Sequence, residues 1–182
     1  MEPSSLNTSL DLQVSALEMM VHWGRCSLTA DYLAGYVAPT FPDSDSARVE
    51  ISMILDELIE NAVKFCADVQ EPVAVTVDSF GHCVRLKVSN LCHKHQAEDL
   101  ERSIRRVLTH DPEDLFVQQV EKSAAEDIDS SRLGFITLSM NDAVRLGARI
   151  TQTSREHLYT VMVQVVIDRD QLLDPSQESE AC

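Results

Sequence analysis

Glu57, Asn61 and Lys64 stand at i, i+4 and i+7 within the stretch Asp56 to Phe65, which reads DELIENAVKF. On a helix that spacing gathers a carboxylate, an amide and an amine on one narrow stripe. Together they would offer a proton acceptor, a neutral oxygen ligand for a hard cation and an ammonium group for phosphate oxygens. The stripe also reads as a plain solvated helix face, because Glu50 and Glu60 fall on the same side.

The element that must carry these groups is a long helix. Asp45 to Ala67 contains neither Gly nor Pro, and Ile51, Ile54, Leu55, Leu58, Ile59, Ala62 and Phe65 recur at spacings of three and four. The preceding FPDSDS supplies Asp43, Ser44, Asp45 and Ser46 as N-cap candidates, with negative charge suited to the positive end of the helix dipole.

Around this helix the pattern predicts a short strand over Leu10 to Val14. A helical segment from Ala16 follows, with Leu17, Met20, Val21 and Trp23 in one arc, and then a second piece after Gly24 carrying Leu28, Tyr32, Leu33 and Tyr36 up to Pro39. Val73 to Phe80 and Cys83 to Leu91 alternate as strands about a tight turn at Gly81-His82. Gln96 to His110 reads as a helix with Arg102, Arg105 and Arg106 on its outer surface, and Asp111-Pro112 opens another. Glu121 to Ser131 is expected to be a polar, mobile loop. A helix through Ile136, Leu138, Met140, Ala143, Val144 and Leu146 is expected to end at Gly147, followed by strands over Ala148 to Thr153 and His157 to Ile167. This order predicts an α+β two-layer sandwich, with helices on one face of a mixed, mainly antiparallel sheet. One domain is expected over residues 1-170, with a disordered acidic tail over 171-182.

Composition narrows the function classes. Thirty acidic against fifteen basic side chains give a formal charge of -15, which repels phosphate backbones and anionic lipid, so neither nucleic acid nor a membrane surface is an expected partner. A local basic pocket for one nucleotide remains compatible with that charge. Five cysteines, none in a C-x-x-C pair, read as reduced thiols rather than a disulfide framework. The opening MEPSSLNTSLDL lacks the basic and apolar regions of a leader, and no segment approaches a membrane span, so a cytoplasmic location is expected. The run Cys92, His93, Lys94, His95 contains zinc-ligand types, but the spacing fits a polar loop better than a ligand motif.

ELIENAVKF resembles the N box of the GHKL ATPase superfamily, which includes gyrase, sensor histidine kinases and the anti-sigma-factor serine kinases. The resemblance covers roughly Ser46 to Ile167 and implies the Bergerat, histidine-kinase-like ATPase fold. It implies that Glu57 orients or activates the attacking group, that Asn61 holds magnesium, and that Lys64 lies close to the phosphates of ATP. In the G1 position the chain reads VSNLCHK, so Asn90 stands where the family has an adenine-reading Asp and both glycines are absent. Ser130 to Ile150 parallels the G2 box and its helix. There Leu133, Gly134 and Phe135 match L-G-L, while Ser130 and Arg132 occupy glycine positions, and Ser131, Arg132 and Gly134 are the implied phosphate contacts.

Without a phosphoacceptor hairpin, the chain resembles the small anti-sigma kinases of bacterial partner-switching pathways more than a complete sensor kinase. The resemblance implies an ATP-dependent serine or threonine kinase acting on a small antagonist protein. An alternative is a non-catalytic interaction module that has lost ATP binding, as the altered glycine boxes favour, and works by docking to a response-regulator or antagonist domain. A third reading, histidine phosphotransfer, has only His22 as candidate. Homodimerisation is expected through the N-terminal helices bearing Met19, Met20 and Trp23.

Overall fold

The computed structural model describes residues 8-126 and 133-172. Strand β1 (Thr8–Ser15) leads into helices α1 (Ala16–Val21), α2 (Gly24–Val37) and α3 (Ser44–Lys64), then the hairpin β2 (Pro72–Phe80) and β3 (Cys83–His93). Helices α4 (Lys94–Thr109), α5 (Pro112–Glu126) and α6 (Leu133–Ser139) follow, before β4 (Val144–Gln152) and β5 (Leu158–Asp168) close the sheet. The strand order is β1-β2-β3-β5-β4, and all four neighbour pairings are antiparallel, so the sheet is not mixed.

Alternation along the strands decides which face meets the helices. Val77, Leu86, Val165 and Leu146 lie in one row across four strands, and Val75, Val88 and Val163 in the next, all buried. The opposite face carries Thr76, Lys87 and Gln164, which are only half-buried. Gly81, with φ of +53°, turns the hairpin in the left-handed region where a side chain would be strained.

Helix α3 lies across this core. Asp43 caps it, accepting from the backbone N–H groups of Asp45 at 3.2 Å and Ser46 at 3.1 Å, and these bonds with the Ser46 hydroxyl hold its carboxyl below the usual range. Ile51, Ile54, Leu55, Leu58, Ile59, Ala62 and Val63 are buried along it. Phe65, expected on the same buried face, instead forms the C-cap and is 38% exposed.

Several sequence expectations are corrected. The helix that begins at Leu133 stops at Ser139, and Val144 and Leu146 belong to β4. Asn141 makes the break: its Oδ1 accepts from the Ala143 N–H at 2.9 Å, its carbonyl accepts from the Val144 N–H at 2.9 Å, and its amide donates to Glu50 of α3. Gly147 is therefore a strand residue opposite Gln164, not a helix cap. The acidic stretch after Glu121 continues as α5 to Glu126 rather than forming a loop, and 127-132 lie outside the described residues. Cys92-His95 is no loop either: His93 ends β3 and caps α4 in a reciprocal box with Gln96.

Cys26, Ala30, Leu33, Ala34 and Val37 pack α2 on the core, which leaves Leu28, Tyr32 and Tyr36 outside. Met19 is buried, so it is not available to a dimer surface, whereas Met20 and Trp23 are exposed. At the far end, Leu172 is packed into the core where the acidic tail was expected to have begun, and 173-182 lie outside the described residues. Among the described residues, no helix is long and apolar enough to cross a membrane.

Candidate functional site

A cleft of about 230 Å³ opens between α3 and α4 over the ends of β3 and β5. Its walls are largely apolar, from Leu58 and Ala62 of α3, Val88 of β3, Val161 and Val163 of β5, and Phe135 of α6. Into this surface project Asn61 and Lys64 from α3 and Asn90 from β3. Three of the residues singled out in the sequence thus share one cleft, because the C-terminal half of α3 runs over the sheet where β3 ends. The Ala67 N–H fixes that junction by donating to the Leu91 carbonyl at 2.7 Å.

Glu57 sits beside the cleft rather than in its lining. The Asn61 amide donates both to the Glu57 carboxylate and, at 2.8 Å, to the Glu57 carbonyl one turn back. With Nδ2 so occupied, Asn61 keeps Oδ1 as an acceptor. Gly134 of α6 packs directly against the Glu57 carboxylate, and a methyl group added at 134 would overlap it. Gly134 is therefore needed for a close approach between helices, and it joins the G2-like segment to the N-box-like helix. Ser130, Ser131 and Arg132 lie outside the described residues.

Burial raises the Glu57 pKa above the ordinary carboxylate range. The Asn61 hydrogen bond opposes this, while Glu60 and Asp56 add to it. Burial likewise raises Glu50, Asp56 and Glu60 on the same helix, and Asp56 Oδ1 is buried with no partner among the described residues. The sign of the linkage follows. Groups that bind a proton more readily folded than unfolded stabilise the fold below their unfolded pKa, and that stability is lost as pH rises through the raised folded value. The thermal midpoint should therefore fall as pH rises from about 4.3 toward neutrality. Glu57→Gln should flatten the profile and raise the midpoint at pH 7, which a thermal scan across that range would register. An unchanged slope in Glu57→Gln would contradict the assignment.

Asn90 is 8% exposed, and its only side-chain hydrogen bond among the described residues is a long 3.4 Å contact from Nδ2 to the Leu91 carbonyl. A buried amide facing a cleft with its oxygen unused can accept from an amino group while Nδ2 donates to a ring nitrogen. Cys92, also in the lining, has its thiol pushed up to about 11 by burial and by Cys66. It stays protonated and is a poor metal ligand. His93 and His95 stack on one another outside the cleft with ring centroids 5.9 Å apart. Among the described residues no group of three or more His, Cys, Asp or Glu is placed to hold a metal.

The sequence reading missed Gln96, Asp99 and Ser103 of α4, and took Phe135 of α6 only as part of the L-G-L match; all four line the cleft. The polar three flank the apolar stripe of α4, a placement that periodicity assigns to solvent. A signal was present in the i, i+3, i+7 spacing of Gln96, Asp99 and Ser103, which puts them on one side of the helix.

The architecture is α+β, a five-stranded antiparallel sheet with helices packed on it. It resembles a chain in the crystal structure of the SiaB-SiaC complex from Pseudomonas aeruginosa, with a TM-score of 0.62 over 87% of this chain and 89% of that one. Sequence identity is 14%, so the likeness is one of fold. No protein-family model matches the chain, and no curated protein sequence matches it significantly.

Proposed function

We propose that this chain is a regulatory protein that acts through a protein partner and carries a GHKL-type adenine-nucleotide site in the cleft between α3 and α4. The observation carrying this reading is the convergence of Asn61, Lys64 and the underused amide of Asn90 on one apolar cleft. The apolar walls suit a purine ring and the polar groups are few and oriented, the usual make-up of a small-molecule site. Asn61 Oδ1 is a neutral oxygen donor, and a single protein oxygen suits magnesium, which keeps several waters and takes its other ligands from phosphates. Bound there, the ion would neutralise phosphate charge, which this acidic chain otherwise repels.

A protein partner is supported by two features. The fold neighbour was crystallised as a complex of two proteins. In addition, Leu28, Tyr32 and Tyr36 recur at every fourth position of α2 and are exposed, as are Val49 and Met53 of α3, and exposed apolar side chains sharing a helix face are of the kind found at protein contacts. The activity this reading implies is phosphoryl transfer to a serine or threonine of an anti-sigma-type antagonist. Glu57 would accept the hydroxyl proton as the partner oxygen bonds to the γ-phosphorus of ATP and the bond from that phosphorus to the β,γ-bridging oxygen breaks, with ADP as the leaving group. A raised pKa makes it a stronger base than an ordinary carboxylate.

A second reading, a nucleotide-free interaction module, is favoured by one observation. The Glu57 carboxylate is packed on Gly134 rather than exposed in the cleft. Calorimetric titration of magnesium-ATP separates the two. The proposal expects a dissociation constant in the range of about 1 μM to 1 mM, weakened at least about tenfold in Asn61→Ala. No heat at millimolar nucleotide would leave the interaction module.

A further inference from the structure

A second cavity of about 190 Å³ lies between α4, α5 and α6, and it shares Asp99, Ser103 and Phe135 with the cleft. Its character is different. Arg102 and Arg106 reach it from α4, and Gln119 reaches it from α5. Gln119 is 6% exposed and lines this cavity, and neither polar atom of its side chain is among those fully enclosed without a partner, so what accessible surface the amide keeps is at the cavity. A largely buried amide in the wall of a polar cavity is placed to hydrogen-bond a ligand there. The two guanidinium groups say which kind. Among the described residues Arg102 pairs with Asp99 and Arg106 donates to the Gln118 side chain at 3.0 Å, and these bonds use few of the N–H donors of the two guanidinium groups, which suit oxyanions.

We propose that this cavity is an oxyanion site, formed by Arg102, Arg106, Ser103 and Gln119, into which the terminal phosphates of a ligand in the neighbouring cleft extend. The oxyanion chemistry stands on these residues alone, whereas naming the nucleotide as its source rests on the function proposed above. It would place phosphate contacts on helices α4 and α5, in a chain with only five glycines and without the glycine turns that serve this purpose at other phosphate sites. Asp99, at the boundary of the two cavities, competes with the incoming anion for Arg102. It acts as a counter-ion that the phosphate displaces.

The test is calorimetric titration of the full chain with sodium tripolyphosphate, with AMP and with ATP. Tripolyphosphate should bind the native chain and weaken at least about tenfold in Arg102→Gln/Arg106→Gln and in Gln119→Leu, since each loses charge-assisted or buried donors. Arg105→Gln removes a neighbouring charge that does not line the cavity, and should change affinity less than about twofold. Asp99→Asn should strengthen binding. Equal weakening by Arg105→Gln, or no binding of tripolyphosphate at all, would overturn the site. If ATP displaces tripolyphosphate while AMP does not, the nucleotide supplies the anion. If neither nucleotide binds but tripolyphosphate does, the oxyanion site stands and the nucleotide proposal fails by itself.

Discussion

Gly134→Val should cost about 1-3 kcal/mol of unfolding free energy, because it forces atoms into a well-packed contact between α6 and α3. The obstacle is the Glu57 carboxylate, the end of a flexible side chain, so the fold is expected to survive with that carboxylate displaced. Its hydrogen bond with Asn61 would be lost at the same time, which leaves the Asn61 amide held only by its 2.8 Å bond to the Glu57 carbonyl. Urea denaturation measures the cost, and a double-mutant cycle identifies its source. In a Glu57→Ala background the obstacle is gone, and the penalty for Gly134→Val should shrink by about 0.5-3 kcal/mol, the coupling expected of touching residues. Equal penalties in both backgrounds would show that Gly134 is required for its backbone alone.

Leu58→Ala is the other substitution with a large expected effect. Leu58 is 2% exposed, sits one residue after Glu57 on α3, and forms part of the cleft wall. Removing its terminal atoms subtracts buried apolar surface and leaves a void, a combination that costs about 2-5 kcal/mol. For a chain of this length that is a substantial part of the total, which is typically about 5-15 kcal/mol. Because the void opens toward the cleft, the loss should fall near the lower end of that range, where neighbouring atoms or water can relax into it. Leu55→Ala is the enclosed comparison, at 0% exposure and outside the cleft lining, and should cost more. Denaturation of the two variants side by side would test this order. A larger cost for Leu58→Ala would mean the cleft is tighter than its volume implies.

The parts of the fold that could be read from the sequence are those in which one period dominates. Helix α3 declares itself because its buried residues recur at three and four without interruption, and β2, β3 and β5 because buried apolar residues, mostly valine, recur at every second position. The boundary between α6 and β4 was hidden by a coincidence of spacing. Ile136, Leu138, Met140, Ala143, Val144 and Leu146 satisfy a helical pattern, while Val144 and Leu146 equally satisfy a strand. A side-chain turn at Asn141, tied across 91 residues to Glu50, decides between them, and such a contact has no local signature.

The candidate site divides the same way. Asn61 and Lys64 are legible because they ride on the clearest helix, and Asn90 because it occupies a recognisable strand position. Gln119 is not legible. On α5 it looks like any polar residue of an amphipathic helix, and only the packing of α5 against α4 and α6 buries it. Met19 and Met20 illustrate the limit most simply, since adjacent residues of one type end on opposite sides of the protein surface.

Hydrogen-deuterium exchange with and without magnesium-ATP tests most directly whether the cleft is a nucleotide site. The outer residues of α4 and the end of α3 are exposed enough to exchange measurably, so ligand contact there would register. Added protection is predicted in segments spanning residues 61-66 and 94-106, with little change in β1 or α2. Unaltered exchange at saturating nucleotide, or protection confined to the α2 surface, would contradict the account.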